Sequence, residues 1–409
     1  MNRRSSDDIV VTGIGVVSAF GIGREVYWKG LSEGRSAIRE LELFDTTDHR
    51  TKLAAWIDDR EFEYPFLSPL QRRRTSRADR FALLAAREAV ADSGVDPSML
   101  ASERAAIVLG SGASGLFEAE EWFKEWIRRG RAGRPSRLIN HFSDAVADHV
   151  AQHFGSQGIR LTVVTACSSS AAAIGQAGDL LRSGLADIVA TGGSDVLAEL
   201  TYAGFNALRV VDPEPCRPFD RNRNGLTLGE GAAILILERR ESAEHRGARI
   251  YCRLAGYGLT ADAHHMTAPE PSGRAAARTI FAALEDSGLE PAAVDYVNAH
   301  GTATVHNDRA EAAALLLAFG ERAKRHLAVS SIKGAVGHCL CSAGGMEAAA
   351  TALAIERSCA PPTVNYQTPD PECDLDVVPN HSRPMQINVA LSTSFAFGGN
   401  SACLALTAP

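Results

Sequence analysis

No stretch of this 409-residue chain is apolar for long enough to span a membrane. The opening residues, Met1 to Asp8, are polar and charged, so no secretory signal is expected. No Cys-x-x-Cys pair occurs among Cys167, Cys216, Cys252, Cys339, Cys341, Cys359, Cys373 and Cys403. That argues against a disulfide framework or a zinc site and fits a reducing cytoplasm. Cys339 and Cys341 flank Leu340 beside His338, but their spacing suits zinc poorly and the surroundings are apolar. There is no basic excess: the net charge is −7 and the pI near 6.0, so nucleic acid is not an expected partner. Gly13-Ile14-Gly15 lacks the third glycine of a dinucleotide loop. Gly110 to Gly115 has all three, but Glu118, Glu120, Glu121 and Trp122 follow and do not suit a pyrophosphate. These glycines read as close-packing or pocket-lining turns. His149 and His153 lack the intervening Glu of a metalloprotease and read as helix-face histidines.

What is present is a chain with 45% hydrophobic and 22% charged residues, long enough for one large or two closely joined α/β domains. It repeats itself. Ala86 to Pro97 runs from a helix through Asp-Ser-Gly to a proline, then into a strand at Ala105–Leu109 and a turn at Gly110. Ala282 to Pro291 does the same before Val294–Val297 and the turn at Asn298–Gly301. Opening strands also correspond, Ile9–Thr12 (ending in a glycine turn) with Arg249–Ala255. The next strand ends at Cys167 in one half and, as Leu327–Ile332, at Lys333 in the other. A duplicated unit, 1–248 and 249–409, brings matching strand ends to one site, where α/β proteins place their chemistry.

Leu161 to Val164 reads as a buried strand, and Ser168 to Ser183 as an alanine-rich helix. Cys167 lies between them, where free N–H groups and the helix dipole favour a thiolate. Inert packing is the alternative for such a cysteine. His300 and His338 also follow strand ends, and neutral imidazoles there can donate hydrogen bonds to an enolate or carbonyl oxygen. Arg72, Arg73, Arg74, Arg77 and Arg80 cluster at the start of an amphipathic helix. Arg128, Arg129, Arg131, Arg134 and Arg137 form a second basic cluster. On an acidic chain, two such patches suit an acidic partner.

Together, Val163–Ala173, His300–Glu311, Ser331–His338, Phe395–Asn400, Asp262–Thr267 and Arg217–Asp220 resemble the β-ketoacyl-acyl-carrier-protein synthases, the elongating condensing enzymes of fatty-acid and polyketide synthesis. The nearest type is ketosynthase II. The resemblance implies an α/β thiolase-like fold with two duplicated halves in five αβαβα layers. A homodimer is usual, and a heterodimer with a chain-length-factor-like subunit is an alternative. It implies that Cys167 holds the acyl chain, with the N–H groups of Cys167 and Phe397 as oxyanion hole. His300 and His338 would decarboxylate the malonyl-carrier extender, and Lys333 would orient the site with Glu347 in support. Asp308 and Glu311 would be structural. Thr302 and Thr304 would bind the phosphopantetheine arm, which arrives on the acyl carrier protein, so no resident cofactor or metal is expected. Phe395, Gly398 and Gly399 belong to the same substrate loop as the gating Phe397. Arg73, Arg77 and Arg209 would meet the carrier. Ala113 replaces a bulky residue and would deepen the acyl pocket. With Ala303, Val305, His306, Cys341, Ser342 and Ala396, it leaves room for a specialised polyketide or polyene pathway. A thiolase or initiating enzyme is disfavoured by the Lys333…His338 segment, and an inactive cavity-shaping subunit by Cys167.

Overall fold

A computed structural model describes residues 8–60, 62–131 and 133–409. The opening segment read as polar lies outside them except for Asp8, as does the side chain of Arg137. Ten strands organise the molecule: β1 (Ile9–Ser18), β2 (Ala105–Gly110), β3 (Ile159–Val163), β4 (Ile188–Asp195), β5 (Gly231–Arg239), β6 (Cys252–Ala261), β7 (Tyr296–Asn298), β8 (Ala328–Ser330), β9 (Val389–Phe395) and β10 (Asn400–Thr407). They run in the order β8, β7, β9, β10, β6, β1, β5, β4, β2, β3, with the short strand Gly21–Ile22 added beside β1.

The order is a palindrome of the two halves. From β1 outward the pairings are antiparallel, antiparallel, parallel, parallel. From β6 outward they are the same. The halves meet at β1 and β6 through three residue pairs, Ile9 with Leu254, Val10 with Arg253 and Val11 with Cys252. Helices α1 (Arg77–Ser93) and α2 (Ala145–Phe154) cover the outer face of the first half. Helices α4 (Arg274–Ser287) and α5 (Val305–Phe319) cover the second. Helices α3 (Ser169–Arg182) and α6 (Ala343–Arg357) fill the middle. This is the duplicated αβαβα arrangement that the resemblance implies.

The outer helices sit unusually close to the sheet, and glycine makes that possible. A Cβ on Gly13 or Gly15 of β1 would fall 2.1 or 1.9 Å from the backbone oxygens of Ala89 and Ala85 in α1. The counterpart in the second half is Gly258 of β6, whose Cβ would meet Thr279 O of α4 at 2.4 Å. So Gly13-Ile14-Gly15 is not a turn after a strand. The strand runs through it to Ser18, with an irregular register between Val11 and Gly13 against β5.

The expected amphipathic helix begins after Arg72, Arg73 and Arg74, at Arg77. A separate helix, Pro69–Arg74, precedes it, and α1 starts behind a capping box in which Ser76 and Asp79 satisfy each other's backbone N–H groups. It stops at Gly94 in the left-handed region. Between the sheet halves, small residues let α3 and α6 touch: a Cβ on Gly344 would lie 2.7 Å from the Cβ of Ala171. The strand before Cys167 is not buried as expected. It is the sheet's outer edge, and Leu161 and Val164 are 40% and 56% exposed.

Candidate active site

Cys167 follows β3 at the entry to α3, with Ser168 as N-cap. Ala166 is held in the left-handed region (φ 51). That turn is fixed by Ser169, whose N–H and hydroxyl both donate to Ala166 O at 3.0 and 2.6 Å. Ser169 Oγ in turn accepts from Thr165 N at 2.9 Å. A strained residue so heavily tied down points the next side chain at a fixed place.

Around the thiol stand groups from the second half. His300 follows β7, and its N–H donates to Glu311 Oε1 at 2.9 Å and Thr393 Oγ1 at 3.1 Å. His338 lies with its ring centroid 5.3 Å from that of His300, edge to face at 89°. His338 Nδ1 accepts from Leu340 N at 3.1 Å. Lys333 Nζ lies 3.3 Å from His300 Nδ1 and donates to His300 O at 2.5 Å. These partners leave both imidazoles with their hydrogen on Nε2. Both are fully buried, and burial first, then the Lys333 ammonium, holds each well below the ordinary histidine value. They are neutral donors.

Lys333 is 1% exposed, and its counter-charge is Glu347, which accepts from Nζ and from Ser394 Oγ at 3.0 Å. Glu311 clamps the histidine loop: its carboxylate accepts from His300 N, Gly301 N and Thr393 Oγ1, yet burial still pushes it up to about 7. Asp308 does the same one turn earlier, accepting from Phe219 N at 2.7 Å and Ala303 N at 3.1 Å. Gly301 between them has φ +36, and a Cβ would strike Ser331 Cβ at 2.5 Å.

The thiol itself differs from expectation. Burial pushes Cys167 up to about 11, against the pull of the Lys333 ammonium and a hydrogen bond from Phe397 N. Desolvation outweighs the helix end, so the resting group is a thiol. The Phe397 N–H facing the sulfur is where an oxyanion-hole donor belongs.

A cavity of about 100 Å³ opens on these groups, lined by Cys167, His300, His338, Thr302, Thr304 and Phe397 among others. Phe395 also lines it, with its ring 6.0 Å from His300. Thr302 and Thr304 share a hydroxyl hydrogen bond of 2.9 Å. Gly398 and Gly399 adopt φ 80 and 75, and Gly399 presses on Asp262, whose Oδ1 would lie 1.8 Å from a Cβ. Phe205, which stacks on Phe397 at 5.7 Å, and His265 complete the lining; no spacing in the sequence announces either.

One expectation needs correction. Arg77 is buried at 4% exposure, with its guanidinium donating to Asp59, to Ile57 O and to Glu230 Oε1 at 2.6 Å. It is an internal ion-pair partner and has no surface to offer a carrier protein; Arg73 and Arg209 are exposed. Ala113 is not part of the lining of this cavity; its N–H donates to Asp195 Oδ1 at 2.9 Å. Among the described residues no cluster of His, Cys, Asp or Glu could hold a metal, and no helix is long and apolar enough to cross a membrane. All eight cysteines are free.

A buried thiol on one half of a duplicated fold, faced by two neutral imidazoles and a lysine on the other, defines a condensing enzyme of the thiolase-like class. Family models for the β-ketoacyl synthase N-terminal and C-terminal domains match residues 6–243 and 251–367. The chain belongs to the β-ketoacyl synthase family. It is 40% identical over 405 residues to the 3-oxoacyl-acyl-carrier-protein synthase 2 of Synechocystis sp., covering 97% of both chains. It is similar in structure to the ishigamide ketosynthase/chain length factor, with TM-score 0.92, 34% identity and 98% and 99% coverage. It is also similar to a type II polyketide ketosynthase solved with its acyl-carrier protein and bound to the hexaketide, with TM-score 0.90, 31% identity and the same coverage.

Proposed function

We propose that the protein joins an acyl chain held as a thioester on Cys167 to a malonyl unit on acyl carrier protein, with loss of carbon dioxide, to give a 3-oxoacyl chain two carbons longer. The observation that carries this is the pair of neutral imidazoles, each with its Nδ1 occupied, beside a buried thiol.

In the first step the Cys167 sulfur attacks the carrier thioester. Its carbon–sulfur bond forms as the bond to the carrier thiol breaks, and the Cys167 proton passes to the leaving sulfur. A thiol held at about 11 is not ionised at rest, so its proton moves as the sulfur attacks. In the second step the malonyl carbon–carbon bond breaks and carbon dioxide leaves. The enolate oxygen then takes the two Nε2–H bonds of His300 and His338. Neutral donors suit this, because they stabilise the enolate without protonating it. In the third step the enolate carbon attacks the Cys167 thioester, the oxyanion rests on the N–H groups of Cys167 and Phe397, and collapse returns the Cys167 sulfur. Lys333, neutralised by Glu347, fixes the His300 ring. Thr302 and Thr304 take the amide groups of the phosphopantetheine arm, and Phe397 gates the passage. Arg73 and Arg209 meet the acidic carrier. No resident cofactor or metal takes part, and the free cysteines fit a reducing cytoplasm.

A second reading concerns the partner. The likeness to a ketosynthase/chain length factor favours pairing with such a subunit in a type II polyketide pathway, with this chain as the active half. Intact-protein mass spectrometry tests both. The protein is mixed with acyl-carrier proteins of graded chain length and then with malonyl-carrier protein. A mass gain on Cys167 followed by 3-oxoacyl-carrier protein supports the main reading. Acylation without product supports a missing subunit, and no acylation with any chain refutes the role of Cys167.

A further inference from the structure

Two backbone turns beside the site are strained in the same way and held by the same carboxylate. Phe219 (φ 62) and Ala303 (φ 68) lie in the left-handed region although neither is glycine. Both are fully buried, and both donate their N–H to Asp308 in the first turn of α5: Phe219 N to Oδ2 at 2.7 Å and Ala303 N to Oδ1 at 3.1 Å. Oδ1 also accepts from Asn307 Nδ2 at 3.1 Å. Three donors call for an ionised carboxylate, because a protonated one would turn a donor of its own toward them. Burial pushes Asp308 up, and the Arg223 guanidinium is the main opposing influence. Arg223 is itself buried and joins three loops. Its Nε lies 3.8 Å from Asp308 Oδ2, a contact of charges rather than a hydrogen bond. Its Nη1 donates to Asp370 Oδ2 and to Asp220 O at 2.8 Å, and its Nη2 to Val305 O at 3.4 Å. The loop that carries it also closes on the strained turn, where Gly225 N donates to Ala303 O at 3.1 Å.

None of the reaction steps uses Arg223, and it is not part of the cavity lining. What it holds is the turn between two residues that are. Ala303 separates Thr302 from Thr304, whose hydroxyls face each other at 2.9 Å. Thr302 Oγ1 accepts from Thr304 N at 3.3 Å, and Thr304 Oγ1 accepts from Asn307 N at 3.4 Å as the N-cap of α5. An alanine released from Asp308 would relax out of the left-handed region and turn the two hydroxyls apart. We propose that Arg223 is a positioning residue for the phosphopantetheine arm: through Asp308 and Val305 O it fixes the Thr302–Thr304 turn before the arm arrives. The inference rests on the reading that these threonines take the arm. Its benefit is preorganisation, since the turn need not be ordered at the moment of binding.

The measurement is the rate of Cys167 acylation by butyryl-carrier protein divided by that by S-phenyl thiobutyrate, a thioester with no arm, both read by intact mass. An unfolded fraction or a disturbed thiol lowers both rates alike and drops out of the ratio. Arg223→Lys keeps the charge, so no carboxylate is stranded, but one ammonium cannot serve Asp370, two carbonyls and Asp308 together. Asp308→Asn cuts the same link at its other end. Each should lower the ratio about tenfold, the worth of one well-aligned hydrogen bond, as should Thr302→Ala. Asp370→Asn weakens the same ion cluster but leaves an oxygen for Nη1, and should keep the parent's ratio. If Thr302→Ala lowers the ratio and Arg223→Lys does not, the proposal is overturned; where Arg223→Lys yields no folded protein, Asp308→Asn decides in the same way. A fall in Asp370→Asn equal to that in Arg223→Lys also overturns it, because the effect then belongs to the cluster as a whole. A parent ratio in Thr302→Ala, or a parent that takes no butyryl group from the carrier, refutes the reading of the arm and this inference with it.

Discussion

Replacing Lys333 with alanine should be costly in a specific way. Its Nζ serves three acceptors, Glu347 Oε1, His300 O and His300 Nδ1, and it is 1% exposed. Removing it leaves the Glu347 carboxylate buried without its counter-charge, supported only by Ser394 Oγ. Breaking a buried pair from one side costs about 3–5 kcal/mol. Removing Glu347 alone, as Glu347→Leu, strands the ammonium at a similar cost. The double variant Lys333→Ala/Glu347→Leu strands neither charge. It loses only the donors to His300, about 1–3 kcal/mol for an unmet buried acceptor. The double-mutant cycle should therefore show a coupling of at least about 3 kcal/mol, far above the additivity expected of independent sites. Urea unfolding followed by circular dichroism and by tryptophan fluorescence reads it. The sign with pH is also fixed. Burial already raises Glu347, and Lys333 is the main opposing influence. Without the lysine the carboxyl is held protonated when folded but ionises when unfolded, so the deficit of Lys333→Ala grows as pH rises from 5.5 to 8. Additive single effects, or a deficit that shrinks with rising pH, would refute the assignment of Lys333 and Glu347 as a buried pair.

Other consequences are sharper in the catalytic readout. With Cys167 pushed up to about 11, its alkylation by iodoacetamide should keep accelerating past pH 10; a plateau by pH 9 would contradict the buried-thiol account. His300→Ala and His338→Ala should each cost about 10²–10³-fold in malonyl decarboxylation, the worth of one preorganised donor, while acylation of Cys167 persists. Undiminished carbon dioxide release from the double variant would remove the histidines from that role. Arg77→Ala should destabilise the fold by about 3–5 kcal/mol through Glu230, with carrier affinity of the folded fraction unchanged, whereas Arg73→Glu and Arg209→Glu should weaken the carrier without altering stability. Calorimetric titration with carrier protein separates the two.

The repeat of helix, Asp-Ser-Gly, proline and strand was enough to align the halves, because each copy has to bury the same faces in the same order. The strand ends carrying Cys167, His300 and Lys333 followed from that alignment. Arg77 misled because a basic run looks like a surface; only the fold brings Glu230, 153 residues away, against it. The state of Cys167 misled for a related reason. Chain order shows the helix start that favours a thiolate, but not the packing that removes its water. The edge position of β3 was illegible as well, since a short apolar run looks the same in the middle of a sheet and at its border. Asp195 and Phe205 gave no local signal, and their importance arises only from what other loops place beside them.

The contact of α3 with α6 has a consequence for timing as well as for shape. One helix begins at the nucleophile, and the other carries the lysine's counter-charge. The gap across which carbon attacks carbon is therefore set where Gly344 meets Ala171, a contact with no spare volume. An error of about 1 Å there is worth about a hundredfold in rate. The duplicated scaffold thus acts as a gauge block: the two halves of one sheet are held at a fixed clearance by a glycine and an alanine that line no part of the cavity, and a single methyl group added at that seam would detune the reaction while leaving every reacting group in place.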